Sequence, residues 1–544
     1  MTNTTHPNPF HTGERAAQAR AGVGAVSQWA GGFVRDYLPD QHRAFHSSLP
    51  FLVVASSDDA GHTWTTLVEG EDGFIRSPDP HSLTMQTTLP SDDPLAGRLA
   101  TGGEIGVVGI ELGTRRRNRF SGHIRPKANG YAIDIGQTFG NCPQYIHERS
   151  WRRVPVAKRP PPETSDRLSE DQMSRIRAAD TLFIGSGQFA DRPGPANGYD
   201  ASHRGGAPGF VNVRDSQHLQ IPDYAGNNFF NTIGNITSDP RVGLLFVDFE
   251  TGGLLHVTGR AEIDWSPRNS HDPDAWRMIN VEIDAVIDRP AAVSLRWSRL
   301  GHLSRKLRLA RREGETDSIT SFYLAPADGR RLDPFLAGQH LPVSVQIPGQ
   351  AERSRRNYSL SGATTDTEQY RLSIKREEHG LVSRFLHDKL RVGDVIETQQ
   401  PSGDFVIPNG IGPVVLASAG VGLTPMVSML HELAQGQRPT WFVHGARNGR
   451  NHALRDDVTA LLTQHPHLRQ RVFYSQPDAD DLARCDGWVT GHITAPDLIG
   501  LQAGPDTRYM LCGPSRFLAD LRTGLEDVGV PADHIYFETF GSTG

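Results

Sequence analysis

Apolar and polar positions change rhythm along this chain of 544 residues. Over roughly the first 300 residues the apolar runs are short, bounded by turn residues and poor in helical periodicity, which predicts hairpin-rich β structure. The stretch from about 306 to 410 is also β-rich, with strands expected at Ser318 to Leu324, Leu341 to Ile347, Tyr370 to Lys375 and Val395 to Gln399. From Pro413 the rhythm switches. A buried-strand run, Pro413 to Ser418, leads through a glycine turn into a helix beginning near Thr424. Three strand–helix units follow: Thr440 to Gly445 with Leu454 to Leu462, Gln470 to Ser475 with a less regular crossover, and Arg508 to Cys512 with Phe517 to Val528. Tyr536 to Phe540 supplies a last strand. This alternation predicts a parallel sheet with helices on both faces.

Three stretches read as joints: the Pro-rich, basic Val154 to Ser165, the charged Ser304 to Glu315, and the Pro/Gly break Pro408 to Pro413. They divide the chain into four expected domains, 1–160, 161–303, 304–410 and 411–544. The first two resemble each other. Glu104 to Glu111, followed by Thr114 and Gly122, repeats at an offset of 137 as Arg241 to Asp248, followed by Thr251 and Gly259. Gly73-Phe74-Ile75 repeats as Gly209-Phe210-Val211 at an offset of 136. A doubled β module is the economical reading.

Composition narrows the function. A net charge of −6 gives no reason to expect nucleic acid or an anionic membrane as a partner. The longest apolar runs, such as Pro413 to Ala419, fall short of the roughly 20 residues that span a bilayer. Met1 to Ala21 lacks an apolar core of the signal-peptide kind, so a cytoplasmic location is expected. Cys142, Cys485 and Cys512 are too few for an all-cysteine iron–sulfur cluster, which takes four thiolates. No metal-ligand spacing is visible, and the Arg115-Arg116-Arg117 run reads as solvated surface.

The chemistry gathers in the last 240 residues. Arg356-Asn357-Tyr358-Ser359 offers a guanidinium fork for a pyrophosphate, an aromatic ring to lie against a flavin and a hydroxyl for its N5. Gly380-Leu381-Val382-Ser383 opens a helix whose free N–H groups suit phosphate. Gly420-Val421-Gly422-Leu423-Thr424-Pro425 lets the backbone approach a pyrophosphate, with Thr424 as the expected helix cap and Pro425 in the first turn. With Ile374-Lys375-Arg376-Glu377, Cys512-Gly513-Pro514 and Glu538-Thr539-Phe540-Gly541 in the same order, the region 306–544 resembles the ferredoxin–NAD(P)+ reductase family, and within it the reductase portion of flavohaemoglobins. The resemblance implies that the first motif and Lys375 serve FAD and that the glycine turn serves the nicotinamide dinucleotide. It also implies that Cys512 and Glu538 flank hydride transfer with Ser359, and that Phe540 lies near the flavin. Phe335 stands where the family often has Tyr. The acidic segment Tyr474 to Asp481 lacks a cation and would repel a 2′-phosphate, which favours NADH; Arg447 keeps NADPH open.

The second β copy carries Ser202-His203-Arg204-Gly205-Gly206 and Ile221-Pro222-Asp223 through Asn231-Thr232-Ile233-Gly234-Asn235. It is similar to the FMN-binding split barrel of the pyridoxamine 5′-phosphate oxidase-like family, and the first copy more loosely so. The resemblance implies FMN contacts around Arg204, Gly205, Gly206, Ile221, Asn231 and Thr232. The oxidases themselves usually carry an Arg-Lys pair where Asn231-Thr232 stands, which argues against pyridoxamine phosphate oxidation. The first copy has Glu69-Gly70-Glu71-Asp72 and Asp92-Asp93-Pro94 instead, so it is expected to be a structural partner; Cys142, after it, is a candidate to line the ring.

The expected fold is therefore multidomain β and α/β: a tandem split β-barrel forming a pseudo-dimer, an FAD-binding antiparallel β-barrel and a C-terminal parallel-sheet nucleotide-binding domain. The expected activity is an NAD(P)H-dependent flavoprotein oxidoreductase using FAD and FMN. Its electrons would go to FMN in the split barrel or to a small-molecule or protein acceptor. The alternative is an FAD-only reductase whose N-terminal barrel binds a ligand or makes a homodimer. Whether an iron–sulfur domain once followed Gly544 stays open.

Overall fold

The computed structural model describes residues 8–24, 26, 34–140, 145–156, 159–189, 197–224, 226, 228–268, 270–272, 274–299, 305–348, 353–378, 380–484 and 487–539. The chain divides into two units, residues 1–300 and 301–544.

The first unit begins with α1 (Thr12–Arg20) and α2 (Asp40–Ser48), then β1 (Phe51–Ser57), β2 (Thr63–Glu69), β3 (Ile75–Asp79), β4 (Ser82–Met85), α3 (Ala96–Thr101), β5 (Gly103–Glu111), β6 (Arg116–Lys127) and β7 (Gly130–Gly140). After β8 (Arg149–Arg153) and β9 (Glu163–Ser165) the same plan recurs: α4 (Glu170–Ala178), β10 (Thr181–Gln188), β11 (Gly198–Gly205), β12 (Asn212–Val213), β13 (His218–Asp223), α5 (Asn231–Ser238), β14 (Arg241–Val247), β15 (Leu254–Asp264) and β16 (Arg277–Arg289). The first sheet runs β2-β1-β5-β6-β7-β4-β3 and the second β11-β10-β14-β15-β16-β13-β12, the same order nine strands on, with β9 added against β16. The offset of 137 holds in the pairing: Gly106 faces Ser121, and Gly243 faces Thr258. Each sheet breaks register next to the matching glycine. At Gly122 and Gly259 a Cβ would lie 2.1 Å from the carbonyl oxygen of Asp134 or Glu282, so the repeated glycines mark one repeated bulge.

The copies meet reciprocally. A Cβ on Gly106 would fall 2.5 Å from the backbone of Tyr199 and Asp200 in β11, and one on Gly243 within 2.7 Å of Thr63 and Trp64 in β2. Each copy lays its second strand over the fifth strand of the other, the reciprocity of an isologous dimer made within one chain. β8 and β17 (Leu295–Arg299) add a ribbon with Trp151 opposite Trp297. Gly106→Ala and Gly243→Ala should each lower the stability of this unit by about 1–3 kcal/mol through overpacking. Urea midpoints read this directly, and wild-type midpoints in both variants would contradict such close strand crossing.

The second unit contains β18 (Arg305–Gly314), β19 (Ile319–Pro326), β20 (His340–Val345), β21 (Ser354–Ser359), β22 (Tyr370–Lys375), α6 (Leu381–Asp388) and β23 (Val395–Thr398). They form an antiparallel sheet β21-β20-β23-β18-β19-β22, whose edges are joined by a bridge between Leu360 and Leu372. The expected joint at Ser304 to Glu315 is corrected: its charged run is β18. Leu307 and Leu309 are fully buried in the core while the arginines between and after them face out, a period-2 pattern masked by the charge. The Pro-rich joint Val154 to Ser165 likewise ends in a strand, β9.

The rest is a parallel sheet, β27-β26-β25-β24-β28-β29, built from β24 (Val414–Ala419), α7 (Leu423–Ala434), β25 (Thr440–Ala446), α8 (Arg455–Gln464), β26 (Leu468–Tyr474), α9 (Ala479–Arg484), β27 (Val489–Thr490), α10 (Ala495–Ile499), β28 (Arg508–Gly513), α11 (Ser515–Asp527) and β29 (Ile535–Thr539). No helix among the described residues is long and apolar enough to cross a membrane.

Candidate active site

In the second unit the site lies where strand ends meet the glycine turn. β24 stops at Ala419, and Gly420 takes a left-handed φ of +56°, which glycine adopts without strain. Gly422, not Thr424, caps α7; the Thr424 hydroxyl donates back to the Val421 carbonyl (3.1 Å), so the expected Thr424 cap is corrected. Gly422 has an ordinary φ of −60° and is needed for a different reason: a Cβ there would lie 2.3 Å from the carbonyl oxygen of Cys512. The turn is thereby pressed against the end of β28. Cys512 pairs in register with Ser418 on one side and Glu538 on the other, and Pro514, just beyond Gly513, is the N-cap residue of α11.

Two buried polar atoms here have no partner: Oγ of Ser359 and Oε2 of Glu538. They share one neighbourhood. Ser359 pairs with His340, whose main chain bonds Ser402 in both directions (2.8 and 2.9 Å). Asp404, two residues on, is close enough to Glu538 to raise its pKa. Burial is the larger cause, and the Glu538 carboxyl is pushed up to about 8. Burial, then Glu538, pushes the Cys512 thiol well above its usual range, so Cys512 stays a thiol. Orphaned donors and acceptors in a dry site are costly unless a bound group satisfies them. A flavin ring, with its own acceptors and N–H, is the kind of group that would.

The remaining expected residues divide by exposure. Arg356 and Asn357 are exposed on β21, as is Lys375, whose Nζ pairs with Glu377 at 2.9 Å. Tyr358 is half-buried, and burial raises its hydroxyl pKa. Ser383 accepts from the Glu377 N–H and donates to the Gly380 carbonyl (both 3.2 Å), tightening the start of α6 while leaving N–H groups for an anion. Val382 and Leu423 are 1% exposed and belong to hydrophobic cores, so they offer a cofactor main chain only. Leu381 is exposed at the helix start, and Val421 is half-buried. Phe540 lies outside the described residues. The acidic segment after β26 carries no cation of its own, but Arg450, from the loop after β25, pairs with Asp480 (2.9 Å) and Asp478 (3.2 Å).

In the first unit a cavity opens between the two copies. It is lined by Arg204 and Gly205 on β11, Asn231 and Thr232 at the start of α5, Asp223 on β13 and Arg277 on β16. The first copy contributes Arg117 and Arg119 from β6. Four guanidinium groups therefore face one lining carboxylate, and Asp223 pairs with both Arg204 and Arg277 (2.8 Å to the latter). Arg119 is 7% exposed; it bonds Asp200 (3.0 Å), Ser202 and the Asn231 Oδ1 (2.7 Å), while its Nε is buried without a partner. Glu14, carried in by α1, receives the Asn231 amide, and burial pushes its carboxyl up to about 8. Tyr145 and Tyr224 stack at 5.1 Å along the lining.

Two expected contacts fall elsewhere. Ile221 is fully buried in the core of the second copy. Gly206 is absent from the lining, and the Phe210 side chain fills its Cβ position, with Cβ at 2.6 Å and the first ring carbon at 2.7 Å. Gly205 does line the cavity, but a Cβ there would strike the Tyr145 carbonyl at 2.0 Å. The reading of the arginine run as solvated surface is corrected at Arg117. The signal available was Arg117-x-Arg119 on a strand, two cations on one face. Cys142 lies outside the described residues. No group of three or more potential metal ligands occurs among the described residues.

Comparison with known proteins bears on the second unit. Residues 307–407 match the oxidoreductase FAD-binding domain and residues 416–523 the oxidoreductase NAD-binding domain. The chain is 42% identical over 239 residues to a flavohemoprotein of Deinococcus radiodurans, covering 44% of this chain and 59% of that protein. It is 39% identical over 281 residues to a flavohemoprotein of Bordetella pertussis, covering 50% of this chain and 70% of that protein. A solved structure, the flavohem-like FAD/NAD-binding domain of nitric oxide dioxygenase from Vibrio cholerae, is 33% identical and covers 44% of this chain and 98% of its own, with a TM-score of 0.40. The chain spans about 59% of the length of the first of these relatives.

Proposed function

The chain belongs through its C-terminal half to the flavohemoprotein family, and on that premise we propose that it carries electrons from NADH through FAD to FMN held between its two N-terminal copies, or to a small acceptor there. It is an NAD(P)H-dependent flavin oxidoreductase. FAD, when bound, supplies a hydride acceptor that releases electrons singly or in pairs. The observation that carries the reading is the pair of buried, partnerless atoms, Ser359 Oγ and Glu538 Oε2, at the ends of β21 and β29.

The chain's residues divide the work. Arg356 offers its fork to a pyrophosphate, and the N–H groups at the start of α6 add to it. Ser359 gives its hydroxyl to the ring edge. The glycine turn and α7 receive the dinucleotide. Cys512, uncharged and fully buried, lines the site as a small apolar wall. Asp478, Asp480 and Asp481 outnumber Arg450, which favours NADH over a 2′-phosphorylated nucleotide.

For FMN, the cavity combines four guanidinium groups for a phosphate with the Tyr145–Tyr224 stack for a flat ring. The test is the flavin released from the purified protein, identified and counted by chromatography. FAD and FMN in equal amounts are expected. FAD alone, even after FMN is added, would reduce the N-terminal half to a ligand-binding or assembly module.

A further inference from the structure

The doubled module has two places where such a cavity could form, related by its internal symmetry, and they have diverged. Strand pairing gives the correspondence. Leu182 faces Arg204 as Leu52 faces Val68, so Val68 replaces Arg204 in the first copy. Ile110 faces Arg117 and Val108 faces Arg119; 137 residues later, Val247 faces Leu254 and Leu245 faces His256. The same offset sets Pro94 against Asn231. The mate thus has Val68, Leu254, His256 and Pro94 where the first cavity has Arg204, Arg117, Arg119 and Asn231. His256 is fully buried and donates through Nδ1 to the Thr65 carbonyl (2.9 Å), and burial lowers its pKa, so it brings no charge. Of the arginines that line the mate cavity, Arg289 is tied to Asp93 (2.6 Å) and Asp92 (2.8 Å), and Arg153 lies against Asp72 (3.5 Å) and Glu69 (3.9 Å). Glu69 in turn accepts from the Ser294 main chain (2.7 Å) and hydroxyl (2.8 Å).

We propose that the N-terminal half binds one phosphate monoester on a flat aromatic ring per chain, in a site that the first copy completes with Arg117 and Arg119, and that the mate cavity, which lacks cations at the matching positions, binds none. This rests on the FMN reading above and adds to it. The first copy then has a binding role of its own, contrary to its expected part as a structural partner. Arg119 reaches across to fix Asn231 and Ser202, and leaves its buried Nε–H for the ligand. Arg117 bonds Nδ1 (3.2 Å) and the carbonyl (3.4 Å) of His203 beside Arg204. A chain built this way needs no second chain to complete its site.

The experiment titrates the full-length, FAD-loaded protein with FMN and with riboflavin, which has the ring without the phosphate, and follows flavin fluorescence. One FMN per chain is expected, with riboflavin at least about tenfold weaker. Arg119→Gln and Arg117→Gln should each weaken FMN by about tenfold to a hundredfold, the range for a charge-assisted hydrogen bond, with little change for riboflavin. Arg159→Gln, at the mate cavity, should leave the FMN affinity at its wild-type value. Bound FAD and the melting temperature report folding; if Arg119→Gln does not fold, Arg117→Gln decides. Two FMN per chain, or wild-type FMN affinity in the folded arginine variants, would overturn the proposal. Absence of FMN binding to the wild type would instead defeat the reading on which it stands.

Discussion

Gly422→Ala is expected to slow NADH-driven flavin reduction about a hundredfold while FAD remains bound. The backbone at Gly422 has a φ of −60°, open to any L-residue, so conformational strain does not enter. What enters is contact. The new methyl would start 2.3 Å from the Cys512 oxygen, 2.6 Å from its carbonyl carbon and 2.8 Å from the Gly513 nitrogen. These are main-chain atoms in the middle of a parallel sheet, held by pairing to β24 and β29, and cannot swing aside as a flexible side chain would. Turn and strand must part by most of an ångström, and a displacement of about 1 Å at reacting groups costs on the order of a hundredfold in rate. Gly420→Ala is the control with the opposite physics. It meets nothing within 4 Å but sits at φ +56°, so its cost is about 1–2 kcal/mol of backbone strain without a clash. Stopped-flow reduction by NADH, followed at the flavin absorbance, separates the two. A wild-type rate in Gly422→Ala would remove the close approach of turn and strand from the explanation of the site.

These two glycines also show what was legible in the chain and what was not. That backbone must come close at Gly420-Val421-Gly422 is readable from residue type. Which glycine serves conformation and which serves contact depends on β28, some 90 residues away, and no local pattern encodes it. The repeat is similar: Gly122 and Gly259 stand out at their offset, but their bulge follows from carbonyls on the next strand. Charge misled in two places. Arg305 to Glu313 reads as a linker because β18, though paired on both sides, buries only Leu307 and Leu309 and leaves its charged side chains toward solvent. Arg117 reads as surface because the partner that buries it lies in the other copy. Local rules see one element at a time, so residues completed by a distant strand escape them. The motifs around Ser359, Cys512 and Glu538 were recognisable as a set. That Ser359 and Glu538 each keep a buried atom without a partner is a property of the fold alone.

Glu538 should give the enzyme an alkaline limb. Its carboxyl is raised from 4.5 to about 8, first by burial and then by Asp404, so it is protonated at neutral pH and can donate to a bound ring. Above about pH 8 it ionises, placing a buried charge beside the Cys512 thiol, and flavin reduction should fall toward tenfold per pH unit. Stability should follow the same group. Because the folded pKa lies above the unfolded one, the native state holds a proton that the unfolded chain releases between about pH 4.5 and 8. The contribution is therefore full on the acid side of this window and declines through it by about 1.4 kcal/mol per pH unit. Glu14 imposes the same sign on the first unit, so wild type alone cannot assign the slope. Glu538→Gln keeps a hydrogen-bond donor and removes the titration. Its unfolding free energy should lose less than that of the wild type between pH 5 and 8, and its reduction rate should lose the alkaline limb. A constant difference between the two proteins across that range would mean that Glu538 is ionised in the native state, and the proton it is expected to hold at the ring would have to come from elsewhere.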